Sequence, residues 1–587
     1  MGVLIPALLL ATAISFTTGE EFEMIILHNN DMHARFEQTK ESIDGRYVGG
    51  FARVATVVRR ARKDAEDGKR PPVLFLNAGD TYTGTIWFSV HRWRIAARFL
   101  NALKPDVACL GNHEFDDGVA GLKPFVEVVD FPLVAANIDF KNETVLAENV
   151  IPYTVLDVRG RKVGIVGYLT PETKLMATIG DIAFEEEVDA IRRACKELKQ
   201  EGVNIIIALG HSGFKTDQRI AREVKDVDLV IGGHTNTFLW NGPQPDKERP
   251  VDSYPSQVVQ KNGKVVPVVQ AYAYTKYMGE LHVAFDEDGV LTRFHGQPIF
   301  LDEKVAQDQE MLDLLDEFRP TVSMYNKQVI GKSRSYLNGD DCRLKECSFG
   351  NALADSFVDY VTMMYKNGYA FWTSAAPIAI VNGGSIRTSI NASAGGGNVT
   401  AGDILGAVPF HQQLVTFDLT GRDLIETLEL GARSDGETSR GEFLQVAGLK
   451  VVYDFSKPRG SRVMNVRARC GRCYVPSYAP VLPDTHYRVV STQFLLNGGD
   501  GHTVLRDKSA NHTFEDVYDA EALQKYFHFY QVLTPQEEER IIVLNPPSPM
   551  LDSEESYTMA AANQQNTALR SIVLAGLVLL YAHGNVR

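Results

Sequence analysis

Apolar residues in the first 240 positions fall into five short runs, and each run stops at a Gly- or Asn-containing turn that presents Asp, Asn or His. The runs are MIILHNNDMH (24–33), VLFLNAGD (73–80), VACLGNHEFD (107–116), NIIIALGHSG (204–213) and DLVIGGHTN (228–236). Unbroken apolar stretches of this length predict parallel strands buried on both faces. Between them, Phe51–Lys63 and Glu187–Gln200 carry apolar residues at helical spacing among Arg, Lys and Ala, and predict helices. This alternation predicts a layered α/β unit over residues 22–303.

Residues 304–330 are charged and helix-forming as far as Pro320, the pattern of a connecting helix. Beyond them, over 331–547, the rhythm changes. Glycine turns (NGGS, SAGGGN, NGGDG) separate strand patterns such as IAIVN, LVTFDL, LKVVYDF and HYRVVST, which predicts an α+β unit with its own core. Residues 546–567 are polar and rich in Pro and Ser, as in a linker.

The two ends read as processing signals. Val3–Ile14 is apolar and gives way to small and polar residues up to Gly19, which predicts a secretory signal peptide over 1–19. Ser571–Ala582 is apolar but shorter than the roughly 20 residues a membrane span needs. Ala560, Ala561 and Ala562 followed by the polar spacer Asn563–Arg570 complete the order of a lipid-anchor (GPI) signal, so 548–587 reads as linker and anchor signal. Four sequons, at Asn142, Asn391, Asn398 and Asn511, fit a secreted chain. In an oxidising compartment the close pairs Cys342/Cys347 and Cys470/Cys473 are candidates for small-loop disulfides. CGRC has no second CxxC to complete a zinc site, and whether Cys109 and Cys195 pair is open.

Composition narrows the partners. The hydrophobic and charged shares, 44% and 23%, are ordinary for a globular protein. A net charge of −14 argues against a nucleic-acid backbone as partner. A small anionic substrate stays compatible with that charge, because bound metal ions reverse the local field.

In open α/β sheets the chemistry gathers at the carboxyl ends of the strands. Five convergent ends place Asp31, His33, Asp80, Asn112, His113, His211 and His234 around one point, the oxygen-and-imidazole set that holds two divalent cations. D-x-H at 31–33 would put two ligands on one side of an extended strand end. Asp80, offered by a tight GD turn, is the candidate bridge between the two ions. Asp116, three residues after His113, can hold that imidazole in one tautomer, and also suits a helix cap. His28 and Glu114 read as structural.

These motifs closely resemble the 5′-nucleotidase family, which includes membrane-anchored ecto-5′-nucleotidases and secreted arthropod apyrases. NDMHARFEQ, AGDTYTGTIWF, LGNHEFDDG, GHSGF and IGGHTNTFL carry the likeness in the first unit, and NGGSIR, PFHQQL and FLLNGGDG in the second. The resemblance implies a calcineurin-like metallophosphoesterase domain joined by a helix to a nucleotide-binding domain. It implies one metal on Asp31, His33 and Asp80, and another on Asp80, Asn112, His211 and His234, with zinc suited to so many imidazoles. Asn236 stands where many relatives have a second His, and is grouped here with the substrate contacts. His113, unligated and held by Asp116, would face the phosphate. Phe410 and Phe494 would sandwich a purine, Asp500 would accept from ribose hydroxyls, and Arg343, Asn382 and Arg387 would approach sugar and phosphate. Two departures, Ser385 and Gln493, could reshape that pocket. The implied activity is extracellular hydrolysis of nucleoside 5′-monophosphates. The alternatives are an apyrase acting on ATP and ADP and a non-catalytic nucleotide-binding surface protein. Homodimerisation and a rotation of the two domains about the connecting helix are further implications.

Overall fold

The computed structural model describes residues 21–40, 45–364, 374–433, 441–473 and 475–546. The expected leader and anchor signal lie outside these residues.

The five apolar runs form strands, but they divide between two sheets. Phe22–Asn29, Val73–Asn77 and Val107–Cys109 lie side by side and parallel in an eight-stranded sheet. Ile205–His211 and Leu229–Ile231 pair in parallel in a six-stranded sheet. The alternation of side chains along each strand explains why the runs are apolar throughout. Met24, Ile26, Leu74 and Leu76 face the second sheet, where they join Ile165, Ile206 and Val230 in one core. Ile25, Leu27 and Phe75 face the opposite way, against the helices Phe51–Glu66 and Trp93–Leu103. The three parallel strands named in the first sheet are therefore covered on both sides, and their carboxyl ends and those of the second sheet's parallel pair open on the same edge of the sandwich.

The helix expected over Glu187–Gln200 has those bounds, and the one expected from Phe51 runs on to Glu66. The connecting helix is Gln309–Lys327, and it does not stop at Pro320 but passes through it. Pro320 is exposed, so the hydrogen bond lost there is lost on the solvent side. Met311, Leu314, Leu315 and Val322 tie this helix to the first core, and Tyr325 also packs on the next one.

The second unit is α+β, with a five-stranded and a four-stranded sheet and helices such as Ser348–Met364 and Asp519–Tyr530. Its strand Ile378–Asn382 runs parallel to His486–Thr492. Each of these strands ends beside a loop that carries a predicted substrate residue. Cys342–Cys347 and Cys470–Cys473 are disulfides, whereas Cys109 and Cys195 are separate buried thiols. No helix among the described residues is long and apolar enough to cross a membrane.

Candidate metal centre and nucleotide site

The strand ends meet in a cluster of left-handed backbone. Asp31 (φ 49°), His33 (φ 45°), Asp80 (φ 57°), His234 (φ 80°) and Asn236 (φ 51°) are all non-glycine residues with positive φ. Such a concentration of uncommon conformations marks a site where the fold aims side chains at a cost. It also corrects the expectation for D-x-H. The strand ends at Asn29, and Asp31 and His33 converge through a turn rather than by the alternation of an extended chain.

Glu114 organises the middle of the site. Its carboxylate accepts backbone N–H groups of Gly111 (2.7 Å), Thr81 (2.8 Å), Asp80 (2.9 Å) and Tyr82 (3.1 Å), which binds the GD and GNHE turns to each other. Gly79, at φ +78°, lets the two turns touch, since a Cβ there would lie 2.5 Å from the Gly111 nitrogen. Glu114 is thus structural, as its place in the sequence suggested.

The six predicted ligands and His113 come together. His33, Asp80 and His113 form one group and Asp80, His211 and His234 another, each with ligand atoms within 4.8 Å of one another. Asp80 belongs to both groups. Asp31 Oδ1 lies 3.7 Å from Nε2 of His33 and 3.7 Å from Nε2 of His211. Asn112 Oδ1 is 2.8 Å from Nδ1 of His234, and the His234 N–H donates to Asp31 Oδ2 at 2.9 Å. The far nitrogens of two imidazoles are taken by carbonyls: Nδ1 of His211 by Ala78 (2.7 Å) and Nδ1 of His33 by Thr83 (3.1 Å). That is the outer hydrogen bond that fixes a ligating tautomer and leaves Nε2 pointing inward.

Charges in the cluster are strongly perturbed. Burial lifts the Asp31 carboxyl to about 6. Burial acts upward on Asp80 too, but the imidazoles of His211 and His113 overcome it and hold that carboxyl well below the usual range. Burial would lower His211, but Asp80 and Asp31 outweigh it and bring the imidazole to about 10. Burial and the nearby Arg387 push His33 well down. For His113, burial pulls down and the carboxylates of Asp116 and Asp80 pull up, with a net upward shift. Its Nδ1 is 2.8 Å from Asp116 Oδ2.

The residues fit a pair of divalent cations. Asp31 Oδ1 is buried with no hydrogen-bond partner, as an atom that serves a Lewis acid would be. The set is two carboxylates, one amide oxygen and imidazoles, with one carboxylate shared between two groups.

The second unit faces this centre. Phe410 lies 6.1 Å from the His113 ring, centroid to centroid and tilted by 25°, and the Arg387 guanidinium stands 5.9 Å from the Phe410 ring. Asn382 donates to Asp500 at 2.6 Å, and Asp500 itself sits at φ 51°. Burial raises the Asp500 carboxyl. Phe494 packs flat on Gly499, next to Asp500. Burial and the neighbouring Arg387 draw the Arg343 guanidinium to about 10.

Two residues here escaped the sequence reading. Tyr274 (φ 59°) lies 5.6 Å from the His33 ring, and its hydroxyl is 3.4 Å from Nδ2 of Asn236. Arg35 stacks over Tyr274 at 5.2 Å and donates to the Gly84 carbonyl at 2.6 Å. Burial and Arg387 both depress Arg35. The alternation of D-x-H-x-R offered a signal for Arg35, whereas Tyr274 sits in an unpatterned AYAYTKY stretch.

A centre of this kind on a layered α/β sandwich defines a calcineurin-like phosphoesterase, and residues 24–238 match that family. Residues 329–507 match the C-terminal domain of 5′-nucleotidases. Human 5′-nucleotidase is 39% identical over 551 residues, covering 91% of this chain and 94% of that protein. An apyrase of Tabanus yao is 36% identical over 535 residues, covering 89% and 94%. The solved structure of a 5′-nucleotidase precursor from Thermus thermophilus is similar at a TM-score of 0.80 and 34% identity, over 90% of this chain and 100% of that one. The chain belongs to the 5′-nucleotidase family and is a metal-dependent phosphoric monoester hydrolase.

Proposed function

We propose that this chain hydrolyses nucleoside 5′-monophosphates, AMP first, to nucleoside and phosphate outside the cell. The observation that carries the reading is the facing of two unlike surfaces, His113 of the metal cluster against Phe410 of the second unit. A phosphate and an aromatic base can then be held at once.

Lewis acidity is the chemistry that two divalent ions bring to such a site, acidifying water and offsetting phosphate charge. Asp31, His33 and Asp80 would hold one ion, and Asp80, Asn112, His211 and His234 the other. Zinc is proposed, because imidazole-rich sets suit it. His113, oriented by Asp116, presents Nε2 to a phosphate oxygen and lends positive charge as the transition state forms. Arg387 has no carboxylate partner among the described residues and supplies a second fixed charge. Arg343, Asn382 and Asp500 would orient the ribose, Phe410 and Phe494 would stack on the base, and Asn236 would lie against the phosphate.

The same site could accept ADP and ATP, and the likeness to an apyrase keeps that second reading in play. Phosphate release from AMP, ADP and ATP, with and without chelator, separates the readings. Release from AMP alone supports the first, and no chelator-sensitive release from any of them would sink both. The proposal extends to domains at 22–303 and 331–547 joined by 304–330, to a lipid-anchored surface location and to a homodimer. Phospholipase release from cells and sedimentation test the last two.

A further inference from the structure

Beneath the metal centre lies a buried polar network that no motif announced. Asp217, on the helix Phe214–Glu223, is fully buried. Its Oδ1 accepts the Tyr168 hydroxyl at 2.8 Å and its Oδ2 accepts Nε2 of Gln270 at 2.7 Å. Gln270, also fully buried, follows the strand Val265–Val269. The second N–H of its amide donates to the Gly233 carbonyl at 3.0 Å. Its Oε1 accepts the Thr237 N–H at 3.0 Å and the Thr235 hydroxyl at 3.5 Å. The amide therefore grips the turn on both sides of His234 and Asn236.

We infer that Asp217 is a positioning residue for the metal centre, acting through Gln270 to fix the 233–237 turn and so aim His234. The reason is polarity. A backbone carbonyl only accepts and a backbone N–H only donates, whereas a carboxamide can do either. Between the Gly233 carbonyl and the Thr237 N–H, Gln270 must turn its oxygen to Thr237 and its NH2 group to Gly233, and Asp217 Oδ2 takes the second N–H of that group. Flipping the amide would set its one oxygen against the Gly233 carbonyl and Asp217 Oδ2, and its NH2 group against the Thr237 N–H. Unmade bonds are costly in a buried site. The packing leaves no slack, since a Cβ at Gly232 would fall 1.9 Å from Asp217 Oδ2. His234 in turn reaches Asn112 through Nδ1 and Asp31 through its backbone, so the aim of this turn is transmitted to two other predicted ligands.

The inference rests on the proposed two-metal reading. Its test uses the full chain, stripped of metal and titrated with zinc by calorimetry, as wild type, Asp217→Asn, Gln270→Glu and the double variant. Wild type is expected to take two ions. Each single variant is expected to bind one of the two about 10- to 100-fold more weakly, with AMP turnover recovering in excess zinc. The double variant is expected to stay weak, because a glutamate at 270 cannot donate to the Gly233 carbonyl. A role in packing alone predicts wild-type affinity in all three variants, since every replacement keeps the shape of the side chain, whereas recovery in the double variant alone would mean that the grip on Gly233 does not matter. Wild-type affinity in Asp217→Asn, or recovery in the double variant, would overturn the inference. If Asp217→Asn does not fold, the isosteric Gln270→Glu carries the test, and normal affinity there overturns it. Fewer than two ions in wild type would count against the proposed function instead.

Discussion

Asp80 spans two strand ends. Its Oδ1 accepts the His113 backbone N–H at 2.9 Å, while its Oδ2 lies 2.9 Å from Nε2 of His211. No other carboxylate is common to both groups of candidate ligands among the described residues. Asp80→Asn should therefore weaken both metals, where Asn112→Ala should weaken one. Metal content after dialysis checks this. An Asp80→Asn protein that keeps a full complement of metal would remove the bridging assignment.

The His113–Asp116 pair sets a pH dependence. Burial pulls the imidazole pKa down and Asp116 and Asp80 push it up, for a net rise above 6.5. The protonated, charge-bearing form is present below that raised value and is lost as pH climbs through it. Asp116→Asn should thus move the alkaline limb of kcat to lower pH. His113→Ala should cut kcat by about 10²- to 10⁴-fold with a smaller change in KM. A pH–rate profile of each variant decides the matter, and an unmoved limb in Asp116→Asn would detach that residue from the role.

His211 links metal loading to protons. In the metal-free protein its imidazole titrates near 10, held up against burial by Asp80 and Asp31. A group whose folded pKa is raised adds stability that is complete below its unfolded value near 6.5 and fades as pH rises toward 10. The melting temperature of metal-free protein should lose this contribution between those limits, and metal-loaded protein should not. Binding at pH 7 should also release a proton, since the ligand must be neutral. Calorimetry in buffers of differing ionisation heat measures that release.

The strand ends were legible because two structural demands coincide in them. A strand covered on both faces must be apolar throughout, so LFLN and IIIAL stand out, and the polar residue that follows each run is exposed as a functional candidate. Their division between two sheets was not legible, because a doubly buried strand carries no mark of its neighbours. Tyr274 and Gln270 were not legible either. They reach the site through backbone turned left-handed at 272, 274 and 275 and through contacts with residues far away in the chain. The helix crossing Pro320 misled for a related reason, since a proline on the solvent side breaks one bond without ending the packing of Leu314, Leu315 and Val322.

Phe410 provides a test of the substrate end. Stacking on an aromatic ring is worth about 1–3 kcal/mol per base, or about 5- to 150-fold in affinity. Phe410→Ala should raise KM for AMP within that range and leave KM for ribose 5-phosphate nearly unchanged. Equal losses on both substrates would assign the ring to packing instead.

The two units also meet beside the site, at the helices Ile86–His91 and Ala401–Ala407. Ser89 donates to the Leu405 carbonyl at 2.8 Å, and a Cβ built on Gly406 would stand 3.6 Å from the Ile86 nitrogen. Cysteines at 86 and 406 would lie across this contact, one on each unit, and are the pair with which to bridge it. If nucleotide enters and nucleoside leaves by rotation of one unit against the other, this contact must open in every cycle. The oxidised Ile86→Cys/Gly406→Cys protein should retain its metal and its fold yet lose steady-state turnover, and a reductant should restore it. Steady-state rates before and after reduction provide the measurement. Full turnover in the oxidised form would mean that substrate passes without any opening of the interface.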